Sequence, residues 1–172
     1  MNETITIEVR GMIPAPQGSK RHVGNGVMVE SCKTVKPWSI AVAEAAVQAG
    51  AYPLKGAVTF DAEFIFPRPR SHYRTGKKSD QLKPNAPYLH SVKPDVSKLQ
   101  RSTEDALSGI AFQDDARIAQ SSLTKRYADE GELPGAVITI ANAVDAPPLV
   151  KTLVPFDCPG LVSIGQALNR HG

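Results

Sequence analysis

The chain has 172 residues, of which 22% are charged and 41% hydrophobic, and it carries a formal net charge of +3 at pH 7. That length supports one domain with a real core and excludes two comfortable ones. No apolar run approaches a membrane span, the two cysteines (Cys32 and Cys158) have no motif spacing, and there is no zinc signature, P-loop, dinucleotide fingerprint or internal repeat. With no signal peptide in view, the chain is expected to be cytoplasmic, with its thiols reduced.

Thr4 to Val9 alternates apolar and polar residues and predicts a half-buried strand. Gly11 to Pro16 breaks it. Pro16-Gln17-Gly18-Ser19-Lys20-Arg21-His22 reads as a basic, glycine-containing loop. Gly24-Asn25-Gly26 is a turn signal before a short strand, Val27 to Glu30, so the region predicts a hairpin with a basic approach loop. Lys20 and Arg21 are candidates for contact with a polyanion, or ordinary surface charge on a turn.

Pro37-Trp38 opens an alanine-rich helix reaching about Gln48, since proline suits a first turn. Trp38, Ala41, Val42, Ala45 and Ala46 form its apolar face. Trp38 is expected in the core or in a dimer contact. After a loop from Gly50 to Gly56, Ala57 to Phe66 alternates as the clearest strand of the chain and ends at Pro67-Arg68-Pro69-Arg70. Pro67 to Val92 has no periodicity and predicts a long functional or mobile loop. Its Tyr73 and Tyr88 can stack on exposed bases or pack on the surface.

Lys93 to Asp115, KPDVSKLQRSTEDALSGIAFQDD, predicts a helix entered at Pro94-Asp95. Val96, Leu99, Thr103, Ala106 and Ile110 recur at helical spacing as a core stripe. Lys98, Arg101 and Asp105 share a neighbouring polar face, and Gly109 lies near the helix end. Asp114-Asp115 follows a short apolar run. Each acid has an ordinary reading: Asp95 as a cap, Asp105 as a solvated partner of Arg101, Asp114-Asp115 as a turn. Together they also suit a hard cation, which takes carboxylates from separate elements. Arg117 to Lys125 and Ala136 to Ala141 predict two more strands around an acidic, exposed turn, Ala128 to Gly135. Val144 to Gly172 is proline-rich and apolar, with a short helix near Ile164 to Asn169. The whole predicts an α+β or α/β domain, 1–142, with a mixed sheet and two principal helices, and a C-terminal extension, 143–172, packed on the domain or on a partner subunit.

Charge is segregated. Arg68, Arg70, Arg74, Lys77, Lys78, Lys83, Lys93, Lys98 and Arg101 are opposed between Pro67 and Arg101 only by Asp80 and Asp95. Beyond Arg126 acids dominate. Such a distribution suits a polyanion-binding face, or a flexible basic loop that is merely soluble.

The order Pro94-Asp95, Leu99, Arg101, Asp105-Ala106-Leu107, then Gly109-Ile110-Ala111-Phe112 and Asp114-Asp115-Ala116, resembles the RusA-type Holliday junction resolvases, including their phage and prophage members. The resemblance covers roughly residues 4 to 140. It implies a homodimeric, magnesium-dependent endodeoxyribonuclease, manganese being a possible substitute, that acts on four-way DNA junctions in recombination and repair. Asp95 and Asp115 would be catalytic metal ligands with Asp114 beside them, and Arg101 stands where the family has a lysine. Lys20, Arg21, Arg68, Arg70, Arg74, Lys77, Lys78, Lys93 and Lys98 would contact the DNA backbone. Two positions depart from the family pattern: Lys98 stands where asparagine is common, and Ser97 where a second metal-binding aspartate is expected. Ser97 removes one negative charge, and this keeps open an alternative, a junction-binding protein of the same fold with weak or no cleavage.

Overall fold

The computed structural model describes residues 3–18, 20–22, 28–30 and 33–143. Its elements are β1 (Thr4–Arg10), β2 (Lys20–His22), β3 (Met28–Glu30), α1 (Val35–Gln48), β4 (Val58–Phe66), α2 (Val96–Leu107), β5 (Ile118–Tyr127) and β6 (Gly135–Asn142). Four strands form one mixed sheet in the order β1-β6-β4-β5, and β2 pairs with β3 as a separate ribbon. The pairs β1–β6 and β6–β4 are antiparallel, whereas β4–β5 is parallel. This is the predicted α+β architecture with two helices.

The parallel pair requires the chain to return from the Phe66 end of β4 to the opposite end, beside Val58, where β5 starts at Ile118. The helix α2 makes that return. Its buried residues are Leu99, Ser102, Thr103 and Leu107. Leu99 and Leu107 share one core cluster with Trp38, Val42 and Ala46 of α1, and the cluster continues into Phe60, Phe64, Ile138, Ile140 and Ile7 of the sheet. Trp38 is fully buried, as core. Its Nε1 donates to Thr103 Oγ1 at 3.2 Å, and that hydroxyl donates to the Leu99 carbonyl at 2.8 Å. Both buried polar groups are thereby satisfied. The helix stops where Gly109 takes φ +78°, its N–H turning to the Phe112 carbonyl at 2.7 Å. Gly135 is needed for another reason: a Cβ there would lie 1.8 Å from the Val9 carbonyl oxygen.

Several expectations are corrected. Lys20 and Arg21 belong to a paired strand, opposite Glu30 and Val29, and not to an approach loop. The helix α1 begins at Val35, so Pro37 sits inside its first turn. Residues 67–92 are not structureless. They contain 3₁₀ turns at Arg70–His72 and Gly76–Lys78, and bridges join Tyr73 to Leu82 and Leu89 to Arg126. Backbone and side-chain hydrogen bonds do what hydrophobic periodicity does elsewhere, so periodicity could not reveal them. Asp95 takes the N-cap position of α2, but its carboxylate makes no cap hydrogen bond. The proposed extension, apart from Ala143, lies outside the described residues.

The turn after β5 is not a plain exposed acidic loop either. Arg126, 7% exposed, draws it in. Its guanidinium pairs with Glu132 at 2.5 Å, with Glu63 of β4 at 2.9 Å and with Asp129 at 3.6 Å. The guanidinium holds the Glu132 carboxyl down at about 2, from an ordinary 4.5. A depressed folded-state value means stability that is present above the unfolded value and lost as pH falls through the folded one. Glu132→Gln should therefore cost about 1.5–3 kcal/mol at pH 7, the range for hydrogen bonds to charged groups. Urea unfolding at stepped pH should show that difference shrinking from about pH 4.5 downward and vanishing near pH 2.

Candidate functional site

The acids that the sequence singles out lie at two places. At the first, α2 begins. Asp95 is exposed, with Lys98 Nζ 3.7 Å from its carboxylate, a distance that in solvent contributes little. Lys125 of β5 reaches the same point: its Nζ donates to the Val92 carbonyl at 2.7 Å and the Pro94 carbonyl at 2.5 Å. Asp95, Lys93, Pro94 and Lys98 form one side of an open groove of ≈ 510 Å³, and Ile13, Pro14, Pro16, Gln17, Gly18 and Phe66 form the rest. The segment from Ala15 to Gln17 is pinned to α2, because Ser102 Oγ donates to the Ala15 carbonyl and Gln17 N–H to the Lys98 carbonyl. Phe66 in turn carries His90, stacked on it with ring centroids 4.1 Å apart. Burial, and next the charge of Lys125, push the His90 imidazole below its ordinary value, so it stays neutral near pH 7.

At the second place the chain enters β5. Asp114 Oδ1 accepts from the Ala116 N–H at 2.9 Å and caps a 3₁₀ turn, Asp115–Arg117. Both aspartates are exposed. A carboxylate that the sequence reading passed over, Glu104, stands near them. Burial pushes it above the ordinary carboxylate range; a hydrogen bond from Gln100 opposes this, and the charges of Asp115 and Asp105 add to it. Its neighbours in sequence are charged or polar, so only its half-burial in the fold marks it. Asp105 itself accepts from Gln17 Nε2 at 2.7 Å.

The two places are far apart in one chain. Nine helical residues, about 13 Å of axis, separate Asp95 from Glu104. Lys125, beside Asp95, is seven residues along β5 from Ile118, roughly 23 Å. Magnesium holds its oxygens at about 2.1 Å, so ligands sharing an ion lie within about 4 Å of one another. A single chain does not bring Asp95 and Ser97 together with Asp114 and Asp115 around one cation, because α2 leads away from Asp95 and β5 leads back only after the turn at Asp115. Among the described residues no three His, Cys, Asp or Glu groups cluster closely enough to hold a metal ion. Ser97 is exposed in the first turn of α2, and Arg101, also exposed, lies between the two ends.

The basic residues divide in a similar way. Arg68 is partly structural: its guanidinium donates to the carbonyls of Ala128 and Pro87 and covers the Tyr127 ring at 5.6 Å. With Arg70, Arg74, Tyr73 and Ser79 it lines a cleft of ≈ 230 Å³. Lys77 and Lys78 are exposed in the second 3₁₀ turn. Lys93 and Lys98 belong to the Asp95 groove. Lys20 and Arg21 lie in β2, for which the backbone alone is described. Tyr88, half exposed, lies under Arg126 at 5.9 Å.

The family model for Endodeoxyribonuclease RusA matches residues 11–141. The chain is also similar to the uncharacterized protein YqaN of Bacillus subtilis (strain 168), with 26% identity over 77 residues, 45% of this chain and 54% of that protein. It thus spans about half the length of the curated relative it matches. No helix among the described residues is long and apolar enough to cross a membrane.

A half-buried carboxylate with a raised pKa opposes folding once it ionises. Glu104→Gln should leave stability at pH 7 equal to or above that of the parent, and the difference should disappear as pH falls through the carboxylate range. Thermal unfolding at neutral and acid pH checks this; a large loss at pH 7 would mean that the charge of Glu104 is itself paired.

Proposed function

The chain belongs to the RusA endodeoxyribonuclease family, and on that basis we propose that it binds four-way DNA junctions and nicks them by hydrolysis dependent on a divalent metal, with magnesium as the expected ion and manganese as a substitute. The same reading makes it a homodimer. The observation that carries the dimer is the free edge of β5. From Ile118 to Thr124 this edge has no partner strand among the described residues, Ala119 to Ser122 are all exposed, and the run has no charged residue. Edge strands are ordinarily blunted by charge, proline or a covering element. An uncharged open edge suits pairing with a second copy about a two-fold axis.

Antiparallel pairing of two β5 edges has a consequence for the site. The start of β5 in one copy, next to Asp115, comes opposite the end of β5 in the other, next to Lys125 and Asp95. Each junction-cutting centre would then combine Asp95 and the Ser97 hydroxyl of one copy with Asp114 and Asp115 of the second. A cation held there would neutralise charge building on the reacting phosphate. Arg101, exposed on α2, would offset charge on the same phosphate. Two equivalent centres would suit paired nicks in symmetric strands. The arginine cleft at Arg70 and Arg74, with Lys77, Lys78, Lys93 and Lys98, would hold the DNA backbone without reading bases.

Mixing two variants tests the shared centre. Asp95→Asn and Asp115→Asn should each be inactive alone and still bind junctions. Exchanged at equal amounts, they should regain nicking at about one quarter of the centres, since half the dimers are mixed and each mixed dimer keeps one intact centre. No recovery, with exchange verified by mass, would mean that both aspartates act within one chain. Binding should weaken steeply with salt, and Arg70→Ala with Arg74→Ala should reduce the slope of log affinity against log salt by about 2. An unchanged slope would remove the cleft from the interface.

Ser97 favours a second reading, in which the protein binds junctions and cuts them poorly. Magnesium favours charged oxygens, and the exposed Ser97 supplies none. Single-turnover cleavage at saturating binding separates the two readings. A parent that cuts slowly and is accelerated by Ser97→Asp supports the second, whereas brisk cleavage unchanged by Ser97→Asp supports the first.

A further inference from the structure

We propose that Lys125 is a positioning residue for Asp95: its ammonium fixes the backbone that carries the carboxylate into the groove. The inference rests on the reading of Asp95 as a site residue and deepens it. Nothing in the motif around Asp95 points to Lys125, which lies 30 residues further on, in a strand.

Three observations carry it. First, Lys125 is half-buried, on a strand whose other mid-strand residues are mostly exposed. Second, its Nζ donates to two carbonyls, Val92 at 2.7 Å and Pro94 at 2.5 Å, which bracket Lys93 immediately before Asp95. Third, the same stretch is held by its backbone: the His90 N–H donates to the Lys125 carbonyl at 3.0 Å, and the Tyr127 N–H to that of Tyr88 at 2.9 Å. Residues 88–94 are therefore laid along the end of β5, and Lys125 is the last tie before the helix starts. An ammonium has three donors and no acceptor. Two are used on the carbonyls, and the positive charge is left near the Asp95 carboxylate, with which it interacts favourably.

The Asp95 carboxylate is not held by a cap bond to its own helix. Among the described residues its ion-pair partner is Lys98, no closer than 3.7 Å. Its position depends on the backbone behind it. A partly buried lysine binding that backbone restricts the carboxylate without occupying its oxygens, so they remain available to a cation or to water. A carboxylate in a direct, bidentate ion pair would lose that availability.

The test compares Lys125→Met, which keeps the length and loses the donors, with Lys125→Arg, which restores donors. Hydrogen exchange at Val96 to Leu99, manganese affinity by electron spin resonance, junction affinity in chelator and single-turnover cleavage in manganese are measured on each. Cleavage is followed in the parent or, if that is silent, in the Ser97→Asp background. Lys125→Met should speed exchange at Val96 to Leu99 alone. It should weaken manganese binding and slow saturated cleavage by about 10- to 100-fold, as losing a ligand-orienting group does, with junction affinity within about twofold. Lys125→Arg should recover part of each loss. Added to Asp95→Asn, Lys125→Met should still speed exchange but have no further effect on manganese affinity or cleavage, because it acts on those through that carboxylate. Unchanged exchange and metal affinity in Lys125→Met would overturn the proposal, as would a fall in junction binding and thermal stability in step with cleavage. If Asp95→Asn cuts like the parent, the reading of Asp95 fails instead, and the exchange measurement alone decides whether Lys125 holds the segment; if nothing cuts at all, exchange and manganese affinity decide it together.

Discussion

Parallel pairing of β4 with β5 governs the layout of this protein. Two parallel neighbours cannot be joined by a hairpin, so the chain must travel the length of the sheet between Phe66 and Ile118. It does so through the ordered basic segment and then α2. That path decides where the acids go. Asp95 is left at the Phe66 end with the helix start, and Asp114 and Asp115 at the Val58 end with the strand start. The separation of the two acidic places is a property of the topology, not of any side-chain rotamer.

The same path explains the polar chemistry of the core. The helix that spans the crossover carries Ser102 and Thr103 on its buried face, where a leucine stripe would be the simpler choice. Each hydroxyl makes a specific bond across elements, since Thr103 receives the Trp38 indole N–H and Ser102 reaches the Ala15 carbonyl. These bonds lock α1 and the segment after β1 to α2. They fix the groove walls relative to Asp95, which a purely apolar face would do with less directional control.

The two acidic places lie at opposite ends of the parallel pair, and the open stretch of β5 runs between them. That open stretch, Ile118 to Thr124, carries no charged residue. The end of β5 that carries Lys125 is already covered by residues 88–90, which confines the free edge to the part nearer Asp115. Buried Arg126 acts elsewhere, gathering Glu63, Glu132 and Asp129 so that the turn between β5 and β6 is held by charge where apolar residues are few.

Elements with a periodic signal are legible in the residues alone. The alternation in β1 and β4 and the stripe Leu99, Thr103 are visible because side-chain burial repeats with the backbone period. The order of residues from Pro94 to Asp115 was enough to point to the family. Non-periodic and long-range features needed the folded chain. The order within residues 67–92 rests on carbonyl contacts of Arg68 and Lys83 that leave no pattern in the chain. Glu104 is visible only through its half-burial, and Lys125 only through half-burial together with carbonyl partners distant in sequence. The distance between Asp95 and Asp115 could not be read from their spacing of twenty residues, because a helix followed by a turn can bring two acids together or hold them apart. The direction in which β5 pairs with β4 settles which, and direction of pairing is set by packing across the whole sheet.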